Sequence, residues 1–374
     1  MDFGFTSEQQ LLADSARRYI SEQYGFDRRK QILASADGYS RSVWKDFAEL
    51  GFLGLIVPEE HGGLGGGAVE TLLLAGAIGE GLVIEPYLSS AVLATQAIIR
   101  LGSPAQQAAW LPRLAGGELI AVLAADTACD FGSEGLVRAT PAGDGWELSG
   151  HVPVVYHAPV ADLLLVAASV DAAGRQADAV FAVPRRADGV TLAAYSTVDA
   201  QIAADVECNR VRVDRAARLG AAIDADLAAV IDYGLFALCA EALGALDRCL
   251  ALTVEYTRTR NQFGGPIGRF QALQHRMVDM LMRIEQARSL VYLAATRCDQ
   301  PDAQARASAL SAAKVLIADA ARFVGQQAVQ LHGGMGVSDE AAVSHYFRRL
   351  VAAELRFGGG DAHLARYALQ LAAS

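Results

Sequence analysis

The stretch Tyr256–Gln274, YTRTRNQFGGPIGRFQALQ, constrains this chain more than any other. Before it, residues 227–257 form an almost unbroken Ala/Leu-rich run, and after it residues 272–298 repeat the pattern. Two helices of this length bury their apolar faces by packing on each other or on neighbours, so a helical bundle is expected. The period stops at Asn261, Gly264, Gly265, Pro266 and Gly268, because Gly and Pro interrupt a helix. Arg258 and Arg260 close the first helix, where cations complement its dipole. On spacing alone, an ordinary helix end with capping arginines and a built anion grip account for them equally well.

The 374 residues are enough for two or three domains, and 52% hydrophobic content is ample for sizeable cores. The formal balance is 32 − 42 = −10 with no basic stripe, which argues against nucleic acid as a partner. Five cysteines, Cys129, Cys208, Cys239, Cys249 and Cys298, show no metal or redox spacing and read as reduced thiols of a cytoplasmic protein. The first residues, MDFGFTSEQQ, do not resemble a signal peptide. The apolar helix at 235–246 is punctuated by Glu241, Asp247 and Arg248, so no membrane span is expected.

In chain order, Thr6 and Gln9 pattern as a capping box ahead of a helix carrying Leu11, Leu12, Ala16, Tyr19 and Ile20. A helix over 42–50 leads into the glycine-rich run 51–67, a structural turn rather than a phosphate cradle, since no Gly-Lys-Ser/Thr follows. Helices over 69–81, 89–101 and 105–111 follow, the last closed by Pro112 and Gly116-Gly117. Strand-like runs at 119–125, 135–140, 162–168, 179–184, 190–195 and 208–213 suggest an antiparallel barrel or sandwich, with turns at 143–145 and 171–174. Helices return from about Asp224. The expectation is a mainly α chain with a central β domain, divided into a helical domain 1–118, a middle β domain 119–220 and a four-helix-bundle domain 221–374.

RNQFGGPIGRFQALQ (260–274) and AVQLHGGMGVSDEAAVSHYFRRL (328–350) together resemble the C-terminal signature pair of the acyl-CoA dehydrogenase family. The resemblance covers nearly the whole chain and is weakest in the middle domain. It implies an α–β–α three-domain fold, FAD as cofactor, an acyl-CoA substrate and an electron-transfer flavoprotein as partner. It also implies a cofactor grip reaching toward a neighbour's FAD. Arg260 matches the arginine on the pyrophosphate, Phe263 the aromatic near the adenine half, and Gln271 the glutamine after the turn. Gln330, Gly333 and Gly334 match the glutamine and glycines near phosphate and ribose, and Gln262 belongs to the same set. His332 could be a helper there, but a capping or packing residue is the favoured reading.

Two other sets depart from the family pattern. The segment Ala124–Gly135 keeps only Gly132-Ser133-Glu134 of the residues a member uses on its own flavin, and the positions of the ring-packing Trp and Thr fall on Val154 and Tyr156. Valine offers no stacking face, and Pro153 removes a backbone donor where strand pairing is expected. The family's catalytic glutamate position falls on Phe357, and the alternative position, in the helix before the motif, on Gly234-Leu235. No catalytic residue is therefore assigned. Glu354 and Asp361 are the nearest acids, each open to a solvated, capping or catalytic role.

The loss of the local set with retention of the outward set resembles the small subunits of α2β2 heterotetrameric members, such as the pimeloyl-CoA dehydrogenase small subunit. The leading expectation is a chain that completes an FAD site shared with a partner supplying the glutamate. A homo-oligomeric flavoenzyme with altered chemistry, either oxidase- or monooxygenase-like or with Asp361 or Glu354 as its base, and a non-enzymatic scaffold, are the alternatives.

Overall fold

A computed structural model describes residues 4–125, 137–172, 175–220 and 224–373. The first helices are α1 (Ser7–Gln23), α2 (Phe26–Leu33), α3 (Arg41–Glu49), α4 (Ala68–Glu80), α5 (Thr95–Leu101) and α6 (Pro104–Ala115). Strands β1 (Ala121–Ala124), β2 (Val137–Ala142), β3 (Gly145–Tyr156), β4 (Leu163–Ala172), β5 (Arg175–Pro184), β6 (Val190–Ser196), β7 (Ile202–Asp214) and β8 (Arg218–Leu219) follow. The chain ends with α7 (Asp224–Thr259), the short β9 (Asn261–Gln262) and β10 (Gly265–Pro266), then α8 (Gln271–Cys298), α9 (Ala303–His332), α10 (Ala342–Leu355) and α11 (Gly360–Ala373). The mainly helical architecture with a central sheet is the one expected.

The chain forms two compact units that interleave along the sequence. The first gathers residues 1–31, 68–83 and 235–374; the second gathers 32–67 and 84–234.

In the first unit, α9 is the central helix, packed by α8, α10 and α11. Its buried face is built from small residues, among them Ala313, Ala320, Ala321 and Ala328, which let neighbouring helices lie close. Helices α4 and α7 meet backbone to backbone. A Cβ on Gly79 would lie 1.8 Å from the carbonyl oxygen of Glu241, and one on Gly244 would lie 1.9 Å from that of Gly76. Across the same unit, buried Arg349 of α10 donates to Glu241 of α7 at 2.6 Å and to the Val83 carbonyl at 3.2 Å. The capping box at Thr6 and Gln9 is present with both of its reciprocal hydrogen bonds. Helix α7 is long and apolar enough to cross a membrane, but 89% of its most apolar 18-residue stretch is buried within the folded chain. Its apolar surface is used in packing.

In the second unit, eight strands form one sheet in the order β6-β7-β3-β2-β4-β5-β8, with β1 beside β4. The sheet is not purely antiparallel as expected: β1–β4 and β2–β4 pair in parallel. Strand β3, GWELSGHVPVVY, escapes the alternating pattern because Gly150 and Pro153 interrupt it, yet it pairs along its length with β7. Pro112 lies inside α6 rather than ending it. The run expected as one helix over 89–101 opens as a π-helical segment, Tyr87–Ala94, before α5. The turn over 51–67 is structural, as expected: a Cβ on Gly63 would lie 2.0 Å from the Val57 carbonyl oxygen. The turn expected at 171–174 and the remnant Gly132-Ser133-Glu134 fall wholly or partly outside the described residues, as does Cys129.

Candidate cofactor-binding site

The Tyr256–Gln274 connection folds back on itself. Strands β9 and β10 form a minimal hairpin whose two turn residues, Phe263 (φ 53°) and Gly264 (φ 83°), are both left-handed. Such a turn matches the twist of a tight hairpin, but it is unusual for phenylalanine. Arg269 holds it: the guanidinium donates to the carbonyl of Phe263 and, at 3.3 Å, to that of Gly264. The same group lies 5.2 Å from the Phe270 ring, and Phe263 meets Phe270 edge-on at 6.1 Å. Phe263 is thereby presented 82% exposed, a large apolar group held in solvent. Arg269 is a determinant that sequence reasoning missed; its spacing after the glycines was the available signal.

Two contacts bring the far motif to the same end of the helical unit. The Tyr256 ring, near the end of α7, stacks on His332, the last residue of α9, at 4.3 Å. Near the start of α8, Arg276 donates to Gln327 of α9 at 3.2 Å. His332 also bonds the Ala328 carbonyl oxygen through Nδ1 at 2.8 Å, and burial holds its pKa below the usual imidazole value. A neutral imidazole stacked on Tyr256 and bonded to the last turn of its own helix is a capping and packing group, the reading favoured from the sequence.

Around this end the polar groups stand ready for a ligand. Arg260 is exposed, and among the described residues its guanidinium has no acceptor. The side chains of Gln262, Gln271 and Gln330 are likewise exposed and make no hydrogen bond among the described residues. Helix α8 begins at Gln271 without a side-chain cap; the N–H groups of Leu273 and Gln274 bond the Phe270 carbonyl, and those of Gln271 and Ala272 have no acceptor among the described residues. Gly333 adopts φ 61°, ψ −140°, a conformation reserved for glycine, and added Cβ atoms at Gly333 and Gly334 would meet nothing within 4 Å. A guanidinium, free amides and approachable backbone N–H groups form a donor set suited to a diphosphate. The residues present fit FAD.

The positions without a base are built differently. Phe357 is 2% exposed with φ 58°, and its carbonyl oxygen accepts from His363 Nε2 at 2.7 Å. Lys314, fully buried on α9, donates to the carbonyls of Ala353 and, at 2.7 Å, Arg356. Neither the phenyl ring nor the turn around it offers a proton acceptor. Glu354 is tied to Arg322, whose Nε lies 3.0 Å from the carboxylate, and Asp361 is exposed in the first turn of α11. Gly234 is a buried interior position of α7.

In the second unit, Pro153 and Val154 form a bulge. Register jumps from Val152↔Val206 to Val155↔Ala204, so Asp205 alone stands opposite two residues. Pro153 needs no partner there, which explains how proline is accommodated. Val154, at φ 54° and half exposed, donates its N–H to Asp205 Oδ1 at 2.9 Å, and Tyr195 donates its hydroxyl to the same oxygen at 2.7 Å. These two bonds hold the Asp205 carboxyl below its usual pKa. Burial first, and then the bond to Asp205, push the Tyr195 phenol up to about 12. The backbone donor at Val154 is taken by an ionised side chain of the same sheet. Among the described residues, no group of His, Cys, Asp and Glu side chains is arranged to hold a metal.

Comparison with known proteins adds a consistent result. The family model described as acyl-CoA dehydrogenase, C-terminal domain, matches residues 227–371, and that of the N-terminal domain matches 6–118. The chain is 32% identical to acyl-CoA dehydrogenase FadE27 of Mycobacterium tuberculosis, over 100% of this chain and 99% of that protein. It is 30% identical to acyl-CoA dehydrogenase IpdE2 of the same organism, over 91% and 90% of the two. Among solved structures, a chain of the ChsE4-ChsE5 complex from Mycobacterium tuberculosis superposes with a TM-score of 0.91 at 31% identity, covering 100% of both. The Tcur3481-Tcur3483 steroid ACAD superposes at 0.88 and 27% identity, covering 98% of both chains.

Proposed function

This chain belongs to the acyl-CoA dehydrogenase family, and from that premise we propose that it completes an FAD site shared with a second, glutamate-bearing subunit. The reaction is the α,β-desaturation of an acyl-CoA thioester, an oxidation for which bound FAD supplies the hydride acceptor. Every other part is assigned to protein groups. Arg260 neutralises the diphosphate, with Gln262, Gln271 and Gln330 donating beside it. Phe263 covers the adenine half, and Gly333 and Gly334 admit the cofactor backbone. The partner subunit contributes the carboxylate that takes the α-proton.

The observation that carries this reading is a contrast. Arg260 and the three glutamines stand exposed and, among the described residues, their side chains are unpaired, whereas Val154 has its donor occupied by Asp205 and Phe357 is buried without a carboxylate. An outward donor set with nothing to bind is wasteful in a scaffold. A homomeric desaturase would need its own base; Glu354 is already engaged by Arg322, and Asp361 stands exposed in the first turn of α11.

The same reading assigns an α2β2 assembly and an electron-transfer flavoprotein as acceptor. The substrates are fatty or steroid side-chain thioesters, the steroid part in keeping with the name of the similar steroid ACAD. It keeps the division into domains 1–118, 119–220 and 221–374. A cytoplasmic setting accords with the described cysteines, which are all buried and form no disulfide among the described residues.

The test is the visible spectrum of the chain purified alone and with its partner. A colourless chain that turns yellow with the partner is expected. Arg260→Ala in the complex should then weaken flavin retention by roughly ten- to a hundredfold, the range for lost charge-assisted hydrogen bonds. Full flavin in that variant, or a yellow, active chain alone, overturns the reading.

A further inference from the structure

A cavity of about 350 Å³ lies within the first unit, between α1, α4, α7 and α10, and no part of the flavin grip lines it. Its walls mix polar and apolar groups, and the apolar part is supplied by Ile20, Tyr24 and Phe26 together with Leu252. Two cations line it, and they differ. Arg17 is paired with Glu80 at 3.1 Å, so its charge is spent within the wall. Arg248 has no carboxylate partner among the described residues, and its guanidinium hydrogen-bonds the Tyr346 hydroxyl. That hydroxyl gives its proton to the Glu80 carbonyl, so it turns only lone pairs toward Arg248 and leaves the other guanidinium N–H groups to a ligand.

One uncompensated guanidinium beside apolar side chains selects a monoanion with an apolar body. A phosphate dianion would need a second free cation, and Glu80 has removed it. The volume is at the lower end of that of small-molecule sites, which suits a ligand of about six to eight carbons. We propose that this cavity is a binding site for a short aliphatic carboxylate, with the carboxylate on Arg248 and the chain against Ile20, Tyr24, Phe26 and Leu252.

The probes are hexanoate and its neutral analogue hexanamide, titrated into the full chain by calorimetry and followed by saturation-transfer NMR. Arg248→Met keeps the apolar stem of an exposed residue and removes the charge; Arg248→Lys keeps a charge. Hexanoate is expected to bind the parent chain. Affinity should fall on the order of tenfold or more in Arg248→Met, and by less in Arg248→Lys. Hexanamide should bind weakly to all three. No hexanoate binding to the parent chain, or equal binding to Arg248→Met, overturns the proposal. The second result would place the fatty acid in an acyl slot elsewhere. Matching thermal melts of the three proteins establish that any loss is local.

Discussion

Individual buried charges set this molecule's sensitivity to mutation and pH. Arg349 and Glu241 have side chains 2% and 7% exposed. Glu241→Ala should destabilise the chain by about 3–5 kcal/mol, because it strands a buried guanidinium; denaturant unfolding measures it. His345 is held by two bonds of fixed polarity. Arg29 can only donate to its Nδ1, at 3.0 Å, so Nε2 carries the proton given to the Asp339 carbonyl at 2.9 Å. Burial first, and then Arg29, depress its pKa below 6.5; burial does the same for His332. The folded state thus binds fewer protons than the unfolded chain just below pH 6.5. The stabilisation is fully present above that pH and is lost as pH falls through the folded pKa values. Melting temperature should be level above about pH 7 and decline below about 6.5, and His345→Gln should flatten part of that decline. A profile identical in the variant would show that His345 is not a source.

At the scale of elements, the α4–α7 contact makes a prediction with opposite signs three residues apart. Gly79→Ala places a methyl in the Glu241 backbone and should cost about 1–3 kcal/mol. Gly76→Ala meets only the Ala240 carbonyl oxygen at 3.9 Å, so it should stabilise by about 0.5–1 kcal/mol through helix propensity. Thermal melts of the pair decide whether the close crossing exists as described. The β9–β10 hairpin belongs to the same scale. Arg269→Ala should loosen the turn that presents Phe263 and reduce flavin retention in the complex without removing any donor to the diphosphate. Unchanged retention would mean that the turn holds itself.

For the whole molecule, shared binding predicts one flavin for each pair of unlike subunits, checked by absorbance against protein concentration. Two flavins per pair would mean that Val154 and Tyr156 serve a site of their own. Phe357→Glu should not make the isolated chain active. It would put a carboxylate at a position 2% exposed and should lower stability by several kcal/mol instead. Activity of that variant alone, assayed with acyl-CoA and an artificial electron acceptor, would show that only the base was missing.

Much of this was legible in the linear order of residues, because local rules act there. Helical period and glycine punctuation carried the α–β–α order, and the resemblance of the paired motifs around Arg260 and Gln330 carried the candidate grip. What stayed hidden depends on partners distant in sequence. β3 is a strand because β7 accepts its bulge, although Gly150 and Pro153 spoil its own pattern. Pro112 continues a helix because the surrounding fold outweighs a single lost hydrogen bond. His332 found its stacking partner only when the fold brought Tyr256 beside it, and Glu354 became an ion-pair partner only when α9 brought Arg322 beside it. The sequence alone determined which residue types stand at each position and which helices and strands they favour. Tertiary structure decided which polar groups are already satisfied, since hydrogen bonds and burial are made between segments that chain order keeps apart.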